Sequence, residues 1–405
     1  MRRVEDIKEK DASLFTRNFT LLFMAHLFFG FSFWPYVLLP VFIQDLGSNL
    51  VEVGIIMGAA SVSGILIRPW SGHALDRIGR RSCLLAGGLI FLLTHGFYLL
   101  VDQIGPFIYF VRLVHGLSMG ILFATFFTFA ADITPPQRRT EGIAIFGIGG
   151  HLSGAFGVPL GEFLIRTGGY PLLFKTSAVF TVLFTVLSYF LKEPRKTGNQ
   201  AKFRLSDFFR AGLQKANRMP LIGNGLFALG LISYMVFLKS YAHEQGLSVT
   251  FFFMAYSLSA VLIRLVGGKW PDQYGLKTVL YPSFISLALG IFLLAFWPSP
   301  IGLLVSGVLC GIGHGFIFPI LSVLLINRGT DNERGRSMAL FTLLFDVGFF
   351  IGAPLWGYVA QHFGYPAMFI LSAANVLLAV VAFVFFDQED PVLTPAKVSL
   401  PPSSG

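Results

Sequence analysis

The sequence predicts an all-α integral membrane protein, with 12 transmembrane helices in two six-helix bundles related by a parallel repeat. Three observations carry that expectation. Of 405 residues, 54% are hydrophobic and only 13% charged, with a mean hydropathy of +0.71; a soluble chain carries about 25% charged residues. The apolar residues are gathered into long runs, and a bilayer crossing needs roughly 20 of them. Finally, GHALDRIGRR at 72–81 returns as GKWPDQYGLK at 268–277, an offset of 196 residues. A loop repeated across two halves of a membrane chain points to a two-fold machine, as in many secondary transporters.

The first six spans are expected at 18–43, 53–75, 82–101, 105–130, 142–164 and 171–191. The second six fall at 219–242, 248–268, 278–297, 300–326, 336–360 and 366–386. Connections such as GSN at 47–49 and WPSP at 297–300 are short and nearly free of cations. By contrast, 24 of the 30 Lys and Arg fall in the alternate loops and the tails, which is the positive-inside bias. Both termini are therefore expected in the cytoplasm. Domains follow: a cytoplasmic N-terminal segment at 1–17, bundles at 18–191 and 219–388, a basic linker at 192–218 and a Pro/Ser-rich, disordered tail at 389–405. The N-terminal residues carry acids and lack a small-residue cleavage site, so the first apolar run reads as a retained helix.

The duplication extends into the spans. At an offset of 195, Gly116 and Gly120 align with Gly311 and Gly315, and Gly157 and Pro159 with Gly352 and Pro354. Six spans return the chain to its starting side, so the halves are parallel repeats. The net charge of +9 reports topology rather than a nucleic-acid partner. Cys83 and Cys310 match no metal or redox spacing. No nucleotide-binding GxxxxGK[ST], HExxH, CxxC or GxSxG on a strand-to-helix turn occurs, so neither an enzyme nor a metal or other cofactor is expected. The 45 Phe are expected to pack between helices and face lipid.

These motifs resemble the major facilitator superfamily over about residues 15–388. The loop pattern G-x-x-x-D-R-x-G-R-R is present as Gly72, Asp76, Arg77, Gly79, Arg80 and Arg81, and partly again as Gly268, Asp272, Gly275 and Lys277. Arg112 with Gly116 and Gly120 resembles the family's second motif, with His115 where a Gln is common. GHLSGAFGVPLGE, containing Gly154, Gly157, Pro159 and Gly161, looks like the motif of proton-coupled antiporters, although Val158 separates its Gly and Pro. The closest likeness is to bacterial efflux-type, drug:proton antiporter members. The resemblance implies the major facilitator fold and a loop at Asp76 that latches one conformation by bridging the halves. Glycines of the fourth, fifth, tenth and eleventh spans are expected where the halves rock, with Pro159 and Pro354 loosening their helices.

Ionisable groups inside the spans are expensive, at about 2.5–3.5 kcal/mol each at a helix centre. Asp346 lies about ten residues into its span, and the repeat sets His151 opposite it, since 151 plus 195 is 346. A carboxyl and an imidazole at one depth can bind and release a proton. Arg112 is a candidate for binding an anionic substrate, or for acting on a nearby carboxylate, in the cavity that this fold implies. The alternative is an Arg satisfied by backbone carbonyls. His314 and His26 are further cavity candidates, each also readable as a polar packing residue. Arg68 and Arg264 recur together and are expected to snorkel and brace the loop.

The function expected is proton-driven efflux of a small amphipathic organic molecule by a monomeric, multi-pass protein of the bacterial inner membrane. Partners are substrate, protons and lipid. An uptake symporter for a small organic acid or sugar is the nearest alternative, and a non-transporting receptor or scaffold is the alternative of another class.

Overall fold

The computed structural model describes residues 13–135, 138–193, 215–328 and 334–387, with only the backbone described at helix residues 69–76, 139–141, 144, 215–216, 326–328 and 334–339. Most of the N-terminal segment, the greater part of the linker and the tail lie outside the described residues.

The first half comprises α1 (Arg17–Phe33), a 3-10 segment (Trp34–Leu38), α2 (Leu39–Asp45), α3 (Leu50–Ile78), α4 (Arg80–Tyr98), α5 (Pro106–Ile133) and α6 (Arg139–Tyr189). The second comprises α7 (Lys215–Glu244), α8 (Thr250–Gly267), a short α9 (Trp270–Tyr274), α10 (Leu276–Phe296), α11 (Pro300–Arg328) and α12 (Arg334–Phe386). Among the described residues, ten helical stretches are long and apolar enough to cross a membrane. Two of these, Ile145–Tyr189 and Leu340–Phe386, run 45 and 47 residues, more than twice the roughly 20 of one crossing. Each breaks where the expected spans divide, at Gly168–Gly169 and at Gly364.

Glycine sets the corners. The six described residues with positive φ are all Gly and form three cross-half pairs: Gly47 (99°) with Gly246 (66°), Gly79 (100°) with Gly275 (96°), and Gly169 (67°) with Gly364 (83°). Side chains strain that region of the backbone map. Gly169 and Gly364 each begin a Gly-Tyr-Pro turn, so the hairpin as well as the loop is duplicated. The turns near Gly47, Gly169, Gly246 and Gly364 share one end of the molecule, here the loop end. The chain enters and leaves at the opposite, terminus end. There Asn18 joins the two edges of the first half, donating to the Lys192 carbonyl at 2.9 Å and accepting from its N–H at 2.8 Å.

Within each half the same close approach recurs. A Cβ at Gly116 would strike the Ala60 carbonyl and one at Gly311 the Tyr256 carbonyl; Gly120 and Gly315 face Ile67 and Ile263 likewise. These glycines therefore dock α5 on α3 and α11 on α8 inside one half. They do not form the surface between the halves, which corrects the sequence expectation for the fourth and tenth spans. Phe packing fills the interior: Phe29 lies 5.2–6.1 Å from the rings of Phe91, Phe123, Phe126 and Phe184. Other Phe, such as Phe385 and Phe386, are exposed on the apolar exterior.

Two seams join the halves. Along one, Gly54 and Gly58 of α3 lie against Ala353, Phe350 and Pro354 of α12, and Gly357 against the Leu50 carbonyl. Along the other, Gly154 of α6 faces Ser257 of α8 and Trp34. Pro159 and Pro354 sit inside uninterrupted helix, because the non-helical dihedrals of α6 and α12 fall only at the hairpin glycines. Gly157 and Gly161 pack within the first half, on Phe31, Trp34, Pro35 and Leu38, and Gly352 packs on Leu229 and Ile232 of α7.

Replacing Gly116 or Gly311 by Leu is expected to lower stability by about 2 kcal/mol or more, since overpacking costs about 1–3 kcal/mol and here meets backbone. Gly96, with nothing within 4 Å of an added Cβ, should accept Ala without loss. Thermal unfolding of the purified protein in detergent checks both.

Candidate functional site

Among the described residues, an ion pair crosses the first seam. Arg68 of α3 reaches Asp346 of α12, its Nε donating to Oδ2 and its Nη2 to Oδ1 at 3.0 Å. Two parallel N–H···O bonds are the strongest geometry an arginine offers a carboxylate. At 1.5 Å per residue, Arg68 lies about 27 Å from the loop end of α3 and about 15 Å from its other end, where the apolar stretch Leu50–Arg68 closes. Gly64 leaves the space beside the carboxylate, an added Cβ there lying 3.7 Å from Oδ2. Asp346 thus meets Arg68, not His151. Equal depth in the repeat proved to mean opposite seams, because the pseudo-two-fold exchanges α3/α12 with α8/α6.

His151 lies on the second seam. Its ring is 5.6 Å from His314 and 6.3 Å from Tyr256, and its Nδ1 is buried with no partner among the described residues. His314 shares a 2.7 Å hydrogen bond with the Tyr256 hydroxyl. Arg264, the repeat partner of Arg68, donates from Nε to the Gly315 carbonyl at 3.1 Å and faces Gly147. Arg68 joins the halves and Arg264 fronts the second seam, while the loop side chains at 69–76 that Arg68 was expected to brace lie outside those described. Trp34 closes this region, held by Nε1 donating to the Gly150 carbonyl at 2.8 Å, with its ring 6.4 Å from Phe253 and Tyr256. The local reason for its placement is Pro35, which interrupts the α1 ladder and yields the 3-10 segment.

At the loop end, buried Glu162 of α6 accepts from five donors of the other half: Ser248 Oγ, Lys239 Nζ at 2.6 Å, Thr250 Oγ1 at 2.8 Å, and the Val249 and Thr250 N–H groups at 3.3 Å each. A carboxylate from one half therefore caps the first turn of α8 in the other, where the helix dipole favours negative charge. Leu50 adds a bond from its N–H to Gln361 Oε1 at 2.9 Å. Sequence reasoning passed over Glu162, although it ends the GHLSGAFGVPLGE motif and Lys239 is one of the few cations on its side.

The expected cavity arginine is internal to the first half. Arg112 donates to the Ile56 carbonyl at 3.1 Å, the Met57 carbonyl at 2.7 Å and the Tyr98 hydroxyl at 3.2 Å, and lies 3.2 Å from His115 Nδ1. Its donors are taken up by its own bundle, so the backbone-satisfied alternative is the one observed. His115 and His26 are buried there too; His26 stacks on Phe146 at 4.2 Å. His95, not foreseen, bonds Tyr36 at 2.5 Å and Thr181 at 2.7 Å.

In the repeated loop, the side chains around Gly72 and Asp76 lie outside those described. Arg80 pairs with Asp132 at 2.8 Å, and the Arg80 and Arg81 N–H groups donate to Glu193 at 2.6 and 2.9 Å. Arg81 also sits 4.7 Å over the Tyr189 ring, while Arg77 is exposed. In the second copy Gly268 ends α8, Asp272 is exposed, and Lys277 pairs with Asp387 at 3.3 Å. Each of these pairings stays within one half.

The model for the Major Facilitator Superfamily matches residues 20–260 and 220–403. The chain belongs to the major facilitator superfamily. An uncharacterized MFS-type transporter of Salmonella typhimurium is 23% identical over 88% of this chain and 92% of its own. The staphylopine export protein of Staphylococcus aureus is 23% identical over 89% and 94%. Among solved structures, the human organic anion transporter MFSD10 aligns with a TM-score of 0.70 at 18% identity, covering 90% of this chain and 98% of that one. The nucleoside transporter NupG aligns at 0.76 and 14%, covering 93% and 100%. This major facilitator protein is a multi-pass membrane transporter.

In this transporter, Glu162→Ala and Lys239→Ala should each cost about 3 kcal/mol, because each leaves a charge buried without its partner. The double substitution should cost clearly less than the sum. Additive losses in thermal unfolding would show that the pair is not coupled.

Proposed function

We propose that the protein is a proton-driven exporter of a small amphipathic organic molecule, working by alternating access in a bacterial inner membrane with both termini in the cytoplasm. The observation that carries this reading is the Arg68–Asp346 pair, a titratable carboxylate deep in the spans and shared by both halves. While Asp346 is ionised, the pair draws α3 and α12 together. A proton on Asp346 removes the attraction and leaves the Arg68 cation in a low-dielectric seam, which favours conformations that part the halves and hydrate the guanidinium. Protonation and conformation are thereby linked in one group. Export takes its support from the similarity to a staphylopine export protein, and the cytoplasmic placement of the termini from the cation-rich linker and tails.

The substrate passes between the seams, past Trp34, Tyr256 and Phe253, whose rings offer an apolar surface with few charges. No nucleotide takes part, the energy source being the proton gradient, and a single chain suffices because both seams lie within it.

Everted vesicles containing the protein should accumulate a transported compound when the lumen is made acidic. Asp346→Asn should retain exchange of substrate down its own gradient but lose at least ~10-fold of the pH-driven component. Movement in the opposite direction under the same gradient would assign uptake. Undiminished pH-driven transport by Asp346→Asn would remove Asp346 from the coupling.

A further inference from the structure

The two seams are related by the internal repeat but differ in charge. Residues 68 and 264 are equivalent, as are 346 and 151, so the repeat of the Arg68–Asp346 pair is Arg264 with His151. Where the first seam holds a cation and an anion, the second holds a cation and an imidazole. Arg264 makes one hydrogen bond, to the Gly315 carbonyl, and has no ion pair among the described residues. A guanidinium has five N–H donors in a planar fork that matches oxyanions. Arg264 lies in the last turn of α8, inside the apolar stretch Thr250–Gly267, and charged side chains within spans commonly mark substrate or ion pathways.

The opposing surface leaves room. Gly147, His151 and Gly154 recur at a spacing of four and three residues, one face of α6, and meet α8 in that order. A Cβ at Gly147 would lie 3.7 Å from Arg264 Nη1, an ordinary contact distance, so at this residue only backbone of α6 faces the guanidinium. His151 is buried with an unpartnered Nδ1, and Ser257, beside Gly154, is buried with an unpartnered hydroxyl. Tyr256, Phe253 and Trp34 form an aromatic wall toward the loop end. The second seam is thus short of one negative charge and one set of acceptors, next to an apolar surface.

We propose that Arg264 and His151 seat the anionic group of the transported molecule, a singly charged carboxylate or comparable oxyanion on an apolar body, with Ser257 and the rings of Trp34 and Tyr256 receiving that body. The substrate then supplies to the second seam what Asp346 supplies to the first. This assignment rests on the transporter reading above and names its substrate class, but it does not depend on proton coupling.

The test is thermal unfolding of the purified full chain in detergent, with sodium benzoate and longer arylalkyl carboxylates as probes, each beside its neutral amide, and sodium chloride as the inorganic control. A ligand that binds the folded state raises the unfolding temperature with concentration. The carboxylates should produce that rise, and the amides and chloride at equal concentration should not. Arg264→Gln should abolish the rise. His151→Asp, which restores the carboxylate found in the first seam, should also abolish it while raising the ligand-free unfolding temperature. Should Arg264→Gln fail to fold, His151→Asp decides the matter. Equal responses to carboxylate and amide, a chloride response as large as the carboxylate response, no response to any carboxylate, or a rise that survives in His151→Asp would each overturn the assignment. Because binding is read without a proton gradient, failure here leaves the Asp346 coupling untouched. Loss of coupled flux with carboxylate binding intact would count against the coupling alone.

Discussion

A charge inside a membrane needs a partner, and Arg68 and Asp346 find theirs in opposite halves of the chain. That requirement ties the two bundles together at a depth where water cannot easily replace either group. It also explains the backbone around the pair. Gly54 and Gly58 let α3 lie directly against α12, and Gly64 keeps the space beside the carboxylate clear. Bulkier residues at these positions would hold the helices apart and lengthen the two N–H···O bonds. The seam is therefore a strip of close backbone contact ending in an ion pair.

The second seam is built on the same plan with other chemistry. Its close contact runs through Gly147 and Gly154, its arginine faces an imidazole, and its carboxylate has moved to the loop end as Glu162. Placed there, Glu162 caps α8 and holds Lys239, so the loop end is fastened across the halves by charge as well as by the Leu50–Gln361 bond. Near-identical scaffolds with unlike charges give a symmetric hinge and an asymmetric binding surface. The internal pairings of the repeated loop, Arg80 with Asp132 and Lys277 with Asp387, tie neighbouring elements together within each half.

The architecture was legible because it is written in periodic and repeated features. Long apolar runs, alternating cationic loops and the 72–81 and 268–277 copies required no three-dimensional information. The hairpin glycines Gly169 and Gly364 follow the same offset of 195 and were available to the same comparison. The site was less legible, for a geometric reason. Sequence alignment of the halves finds equivalent positions, whereas contact across a pseudo-two-fold joins non-equivalent ones, so Asp346 was matched with His151 when its true partner was Arg68. Arg112 misled for another reason: a motif names a residue but not the face of the helix it occupies. The Ile56 and Met57 carbonyls that take up its guanidinium are backbone groups of apolar residues on a neighbouring helix, which a sequence motif does not announce. Glu162 was overlooked because a carboxylate near a helix end is usually solvated, and only the fold shows five donors of the other half converging on it.

The central claim is that two rigid halves pivot about seams held by cross-half charge. Distances between paired spin labels measure this directly, with one pair at the loop end, on Asn49 and His362, and one at the terminus end, on Ile78 and Tyr274; all four are exposed and each pair spans the halves. The account predicts that lowering the pH, or substituting Asp346 by Asn, lengthens one distance distribution while shortening the other. Distributions that stay fixed at both ends, or that lengthen together, would contradict it.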